Sequence, residues 1–268
     1  MVDLQKKTVV AVIQARMGSS RLPNKTLVNL AGKPLLGHVI ERLQWCKRID
    51  DIIVATTINS QDNAIFEYCR NFYIKTFRGN ETNVLDRYYC TAFENDLSII
   101  VRITADDPIK EPIVIDRAIE ELLKESFDYV SNTLNPTFPE GLDVEVFTFE
   151  ALEKAWQEAK LQSELEHVTP YIWKNPKKFK VKNIENDIDL SGHRWTIDTA
   201  EDLNFIRKIY ERLYIPGQIF LMENVLELLR LCPEITHLMP NIERNFGYKY
   251  MLKNEAASRQ YSRPDIDL

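Results

Sequence analysis

The chain has 268 residues, 44% of them hydrophobic, which suits one large α/β domain or two small ones and offers no compositional sign of disorder. Its formal net charge of −6 excludes the broad basic surface that general nucleic-acid binding requires. Four scattered cysteines, Cys46, Cys69, Cys90 and Cys232, form no CxxC pair, so neither a zinc site nor a disulfide framework is expected, and with no apolar leader at Met1–Lys7 and no apolar run near the roughly 18 residues of a membrane span, a cytoplasmic protein is expected.

The run Val9-Val-Ala-Val-Ile13 is continuous and β-branched, as in a strand covered on both faces of a parallel sheet. Leu35 to Arg48 keeps helical spacing behind Pro34, and Asp51 to Thr57 reads as a second buried strand, followed by a helix from Asp62 through Arg70. A short segment around Ile74–Phe77 leads to a helix at Val84–Glu94, and Leu97–Thr104 is a third strand stopped by Ala105-Asp-Asp-Pro108. Strand, helix, strand, helix, strand is the grammar of a mostly parallel, doubly wound sheet. Beyond it, Phe127–Ser131 is a candidate strand. Leu142–Phe147 alternates strictly, which predicts a strand with one polar face in a mixed or protruding element. Helices at Glu150–Lys160 and Glu164–Trp173, a strand near Phe179–Ile184, a strand-like run Arg194–Asp198 and a helix at Ala200–Leu213 complete the pattern. Residues 1–246 are expected to form one domain, and the polar tail 247–268 to order only against a neighbour.

In open α/β sheets ligands sit outside the carboxyl ends of strands, and the first strand delivers Arg16, Gly18, Ser19, Ser20, Arg21 and Lys25 to that edge. Backbone amides of a Gly-Ser-Ser loop with two arginines and a lysine suit a polyanion, although a solvated basic loop has the same composition. Neither GxxxxGK[ST] nor GxGxxG is present. Asp106 and Asp198 each follow a strand-like run; two carboxylates from separate strand ends suit magnesium, which completes its shell with phosphate oxygens and water. Asp198 before Thr199-Ala-Glu-Asp202 reads equally well as a helix cap. Asp143, Glu145 and His167 are candidates for lining a pocket, the histidine having an alternative as a satisfied core residue.

These residues lie in stretches that resemble the SpsF-type cytidylyltransferases of spore-coat polysaccharide synthesis, relatives of acylneuraminate and 3-deoxy-manno-octulosonate cytidylyltransferases. The resemblance rests on AVIQARMGSSRLPNKTL, NVLDRYY, VRITADDP and SNTLNPTFPEGLDVEVFTFEALEKAW, extended by EHVTPYIW and RWTIDTAEDL, and covers residues 8–210. It implies a Rossmann-like nucleotidyltransferase fold. By the same resemblance Ala15, Arg16, Gly18, Ser19, Ser20, Arg21 and Lys25 grip the CTP triphosphate, Arg78 and Arg87 lie near the nucleotide, and Asp106 and Asp198 hold magnesium, with Arg16, Lys25 and Asp106 central to the chemistry. Asp143, Glu145 and His167 fall where an acceptor would lie.

The implied activity is magnesium-dependent transfer of CMP from CTP to a sugar acid, sugar derivative, phosphate or phosphonate, with release of pyrophosphate, in a homodimer. Two departures bear on it: Ala105-Asp106-Asp107-Pro108 replaces the commoner GDCP or GDxP, so Asp107 is a candidate to share or perturb the metal site, and Ile197-Asp198-Thr199-Ala200 replaces a common TVDEPEDL. A nucleotide-sugar-dependent glycosyltransferase and a non-catalytic nucleotide-binding subunit are the alternatives on the same fold.

Overall fold

The computed structural model describes residues 7–19 and 21–261. Strand β1 (Val9–Gln14) enters a loop that ends in a short 3-10 turn at Lys25–Leu27, and a separate antiparallel pair, β2 (Asn29–Leu30) and β3 (Lys33–Pro34), precedes helix α1 (Leu35–Leu43). Then follow β4 (Asp51–Thr57), α2 (Asn63–Asn71), β5 (Lys75–Gly79), α3 (Val84–Glu94), β6 (Ile99–Thr104), α4 (Pro112–Glu125) and β7 (Tyr129–Ser131). The remaining elements are β8 (Glu145–Thr148), α5 (Phe149–Glu158), α6 (Gln162–His167), α7 (Pro170–Trp173), β9 (Val181–Asn183), α8 (Ala200–Leu213), α9 (Met222–Leu231), α10 (Pro233–Thr236) and α11 (Phe246–Tyr261).

Seven strands form one sheet in the order β5-β4-β1-β6-β8-β7-β9. All run parallel except β8, which pairs antiparallel with β6 on one side and β7 on the other. Alternate residues of β1 feed opposite layers: Val9, Ala11 and Ile13 pack on the side of α1, α4 and α8, whereas Val10 and Val12 pack against α3 and α5. The unbroken apolar run is thus a strand with two buried faces, and complete burial of Val12 and Ile13 contributes about 2 kcal/mol each.

Several elements differ from expectation for local reasons. Helix α1 ends at Leu43, short of Arg48. The helix expected over Glu164–Trp173 divides into α6 and α7, because Val168 takes φ +70° and Thr169 precedes Pro170, whose nitrogen cannot continue the ladder. The alternating strand is shorter than predicted and lies inside the sheet rather than protruding, so its polar member Glu145 is buried and paired. Arg194–Asp198 forms no strand; it is tied by Glu140 N to His193 O at 2.9 Å, Trp195 N to Glu140 O at 2.7 Å and Ile197 N to Asp106 O at 2.9 Å. Helix α4 is not among the elements predicted above, although Pro112 stands in its first turn and Val114, Ile115, Ala118, Ile119 and Leu122 keep helical spacing.

Candidate active site

The loop after β1 is held from beneath. The buried Asp62 carboxylate accepts from Met17 N at 2.6 Å and from the Thr57 hydroxyl at the end of β4, and Thr26 Oγ1 donates to Arg16 O at 2.7 Å. Ser19 N turns back to Met17 O at 2.8 Å, and Asn24 takes φ +59°, a conformation asparagine tolerates, to launch the 3-10 turn carrying Lys25. A Cβ on Gly18 would lie 3.0 Å from Gln61 Nε2, so the loop packs closely there.

Lys25 is the centre of the constellation. Its Nζ donates to Asp106 Oδ2 at 2.6 Å, Asp198 Oδ1 at 2.8 Å and Ile197 O at 3.2 Å. Arg21 Nη2 reaches the same Asp198 oxygen at 3.1 Å. Burial disfavours charge on both Lys25 and Asp106, but their mutual attraction outweighs it, holding the ammonium well above its ordinary range and drawing the Asp106 carboxyl down to about 2. Two carboxylates from different segments thereby converge on one cationic point.

The alternative reading of Asp198 as a cap does not hold. Helix α8 is capped by Thr199, whose hydroxyl accepts from Asp202 N at 3.2 Å while Asp202 Oδ2 accepts from Thr199 N at 2.9 Å, a reciprocal capping box. That leaves the Asp198 carboxylate for Lys25, Arg21 and Arg194. Buried Arg194 joins the segments, donating to Asp202 Oδ1 at 2.8 Å, Glu140 Oε2 at 2.7 Å and Asp198 Oδ2 at 3.1 Å. Asp107 turns away from its neighbour, accepting from Lys110 Nζ and Thr104 Oγ1 at 2.7 Å each. The adjacent acids therefore serve different cations, Asp106 pairing with Lys25 and Asp107 with Lys110.

Two clefts meet at Asp106 and Asp198. The smaller, about 300 Å³, is lined by Ala15, Arg16, Gly18, Ser19, Arg21 and Lys25 from the loop, with Arg87, Glu166 and His167 opposite. Arg16 approaches Glu166 at 4.0 Å, and Arg87 donates to Asn80 O at 2.6 Å while its enclosed Nε has no partner among the described residues. Ser20 lies outside the described residues. Arg78 does not reach either cleft: its guanidinium donates to Thr57 O at 2.9 Å and Asn59 O at 3.0 Å, tying β5 to the end of β4.

The larger cleft, about 590 Å³, brings together Asp143, Glu145 and His167 with Arg102, Thr169 and Trp173. Glu145 accepts from Arg102, Thr169 and, at 2.7 Å, Tyr129; burial opposes its charge, yet Arg102 and the hydroxyl donors hold it below the usual carboxylate range. Asp143 pairs with Arg244. His167 lines both clefts, and burial with Arg102 nearby lowers it to about 4, so it is neutral at physiological pH. Sequence reasoning missed Asp62, Arg102 and Arg194. Their signal is weak, since an isolated arginine or aspartate acquires its role only from distant partners. It also missed the wall built by residues 245–251, which contribute to both clefts.

A parallel α/β sheet with a basic loop and paired aspartates at its carboxyl edge defines the class: an α/β enzyme built to handle nucleotide phosphates. The chain belongs to the cytidylyltransferase family, whose sequence pattern matches residues 10–228, and it is a CTP-dependent nucleotidyltransferase. It is 42% identical over 241 residues to an uncharacterized protein of Methanocaldococcus jannaschii, covering 88% of this chain and 96% of that one. It is 30% identical over 216 residues to the spore coat polysaccharide biosynthesis protein SpsF of Bacillus subtilis, covering 76% and 87%. Among solved structures, a cytidylyltransferase from Leptospira borgpetersenii superposes with a TM-score of 0.82 at 31% identity, covering 89% of this chain and 99% of that one. No helix among the described residues is long and apolar enough to cross a membrane.

Proposed function

We propose that this protein transfers CMP from CTP to the oxygen of a sugar-acid acceptor, releasing pyrophosphate, with Mg²⁺ bound between Asp106 and Asp198. The observation that carries the reading is the convergence of those two carboxylates on Lys25 Nζ at 2.6 and 2.8 Å beside the phosphate loop. An ammonium stands where a hard cation suits the donor set. Mg²⁺ takes one or two carboxylates and completes its shell with water and substrate phosphate, a demand that the Asp106 and Asp198 pair suits. When bound, the ion supplies Lewis-acid polarisation of a phosphoryl oxygen.

The chain's own residues do the rest by position and charge. Arg16, Arg21 and Lys25 offer charge-assisted bonds to the phosphates and to the negative charge that builds on departing pyrophosphate. The acceptor hydroxyl oxygen attacks the α-phosphorus and gives up its proton to solvent, and the bond from the α-phosphorus to the bridging oxygen breaks with its electron pair leaving on pyrophosphate, with no covalent enzyme intermediate required. The larger cleft, adjoining the smaller at Asp106 and Asp198, suits the acceptor. The sugar-acid assignment draws on the relatives: a 3-deoxy-manno-octulosonate cytidylyltransferase of Geobacter sulfurreducens is 37% identical over 117 residues, 42% of this chain and 45% of that one.

The test is pyrophosphate release with Mg²⁺ and each of CTP, UTP, ATP and GTP against 3-deoxy-manno-octulosonate, N-acetylneuraminate, sugar phosphates and phosphonates. Release with CTP and an acidic sugar is expected. Release only with a sugar phosphate or phosphonate would overturn the acceptor class, and CTP binding without release from any pair would overturn the transfer reaction.

A further inference from the structure

The C-terminal segment lies beyond residue 228, where the family match ends, yet it is built into the site. Arg244 donates to Phe138 O at 2.9 Å and pairs with Asp143 in the larger cleft, and Asn245 N donates to Glu140 Oε1 at 3.2 Å. Further along α11, Glu255 accepts from Ser163 N at 2.6 Å and Ser163 Oγ at 3.0 Å, at the start of α6. Between these two anchors Gly247 lines both clefts and Tyr248 lines the larger one. The Tyr248 ring stands edge-on to His167 at 4.9 Å and 6.1 Å from Trp173.

The Tyr248 hydroxyl is enclosed yet has no hydrogen-bond partner among the described residues, and an unmet enclosed hydroxyl is a free-energy cost that a ligand's polar group can remove. Its surroundings suit one kind of guest. Trp173 and Tyr248 line the cleft with their rings, each with one face under Lys174 Nζ at 5.4 Å, Thr133 and Thr169 add hydroxyls, and the neighbouring acids are already paired with arginines.

We propose that Tyr248 is an acceptor-binding, specificity-determining residue, its hydroxyl donating to an oxygen of a polyhydroxylated acceptor, and that Arg244 and Glu255 are positioning residues that hold α11 across the acceptor cleft. This rests on the transferase reading above. It assigns the Tyr248 part of the acceptor wall to a segment beyond the residues that the family pattern matches, a segment that borders the smaller cleft only through Gly247 and Met251.

The test measures pyrophosphate release by the full chain with CTP, Mg²⁺ and, as acceptor probes, 3-deoxy-manno-octulosonate and N-acetylneuraminate, in wild type, Tyr248→Phe, Tyr248→Ala and Glu255→Ala. Tyr248→Phe keeps the ring and its packing and removes only the hydroxyl. The expected result is a roughly tenfold rise in KM for the acceptor that turns over, with KM for CTP within twofold and an unchanged melting midpoint; Tyr248→Ala raises the acceptor KM further. Glu255→Ala is expected to raise the acceptor KM with kcat nearly retained, a split that general destabilisation would not produce. An unchanged acceptor KM in Tyr248→Phe, or equal rises for CTP and acceptor, overturns the proposal while leaving the transferase reading intact. Wild-type protein that releases no pyrophosphate with either probe sinks the sugar-acid reading, and this proposal with it.

Discussion

His167 shows how a single side chain takes its chemistry from its surroundings. Burial first, and Arg102 nearby second, lower it from 6.5 to about 4, so the folded protein resists a proton that the unfolded chain accepts. Between those two values the unfolded state holds more protons, and stability therefore falls as pH drops from about 6.5 toward 4, at up to about 1.4 kcal/mol per pH unit for this group, then levels off. His38, enclosed and donating from Nε2 to Leu30 O at 2.6 Å, is lowered to about 4 as well and contributes a parallel slope. His167→Gln should remove one proton from the pH dependence of denaturant unfolding between pH 7 and 4.5 and leave the His38 share. An unchanged slope would mean that His167 titrates freely.

Helix α8 sets the direction of Asp198, and it does so through its cap. Thr199 and Asp202 satisfy each other, Asp202 also accepts from Asp198 N at 2.9 Å and from Arg194, and the Asp198 carboxylate is left facing Lys25. Asp202→Asn keeps the shape but leaves buried Arg194 short of a countercharge. It should cost about 3 kcal/mol in denaturant unfolding, because removing one member of a buried ion pair strands the other, and it should lower kcat by freeing the Asp198 segment. Full stability in that variant would show that Glu140 and Asp198 alone suffice for Arg194. Gly141 serves the same assembly: at φ +106°, a Cβ there would lie 2.7 Å from the Trp195 carbonyl carbon, so the Glu140 and Arg194 segments approach only because this residue has none.

Across the whole molecule the site joins the β1 loop, the β6 end, α6, the start of α8 and the C-terminal segment. Ligand binding should therefore stabilise the entire fold. CTP with Mg²⁺ at a hundredfold excess over Kd adds about 2.7 kcal/mol, a rise in melting midpoint of roughly 5 to 10 °C. Lys25→Met should abolish that rise along with turnover. A Lys25→Met protein that CTP and Mg²⁺ stabilise as much as wild type would show that Lys25 does not grip the nucleotide.

The sequence by itself determined the parallel half of the sheet, because the strands through Val12, Val54 and Val101 are buried on both faces and their apolar runs need no partner to be recognised. It also determined the chemistry-bearing loop, whose arginines, glycine and lysine are local in the chain, and the family, whose motifs are contiguous. Tertiary structure alone decided which of several acids are used. Asp106 and Asp107 are neighbours with identical side chains, yet one faces Lys25 and the other Lys110. Asp198 was open to capping until Thr199 took that role, and Arg78, read as a nucleotide neighbour, is spent on the carbonyls of Thr57 and Asn59. The C-terminal wall is the extreme case, since Arg244, Tyr248 and Glu255 gain meaning only from Asp143, His167 and Ser163, roughly a hundred residues earlier. Periodicity and propensity are properties of neighbouring residues, whereas pairing a charge or closing a cleft depends on which distant segments the fold brings within a few ångströms.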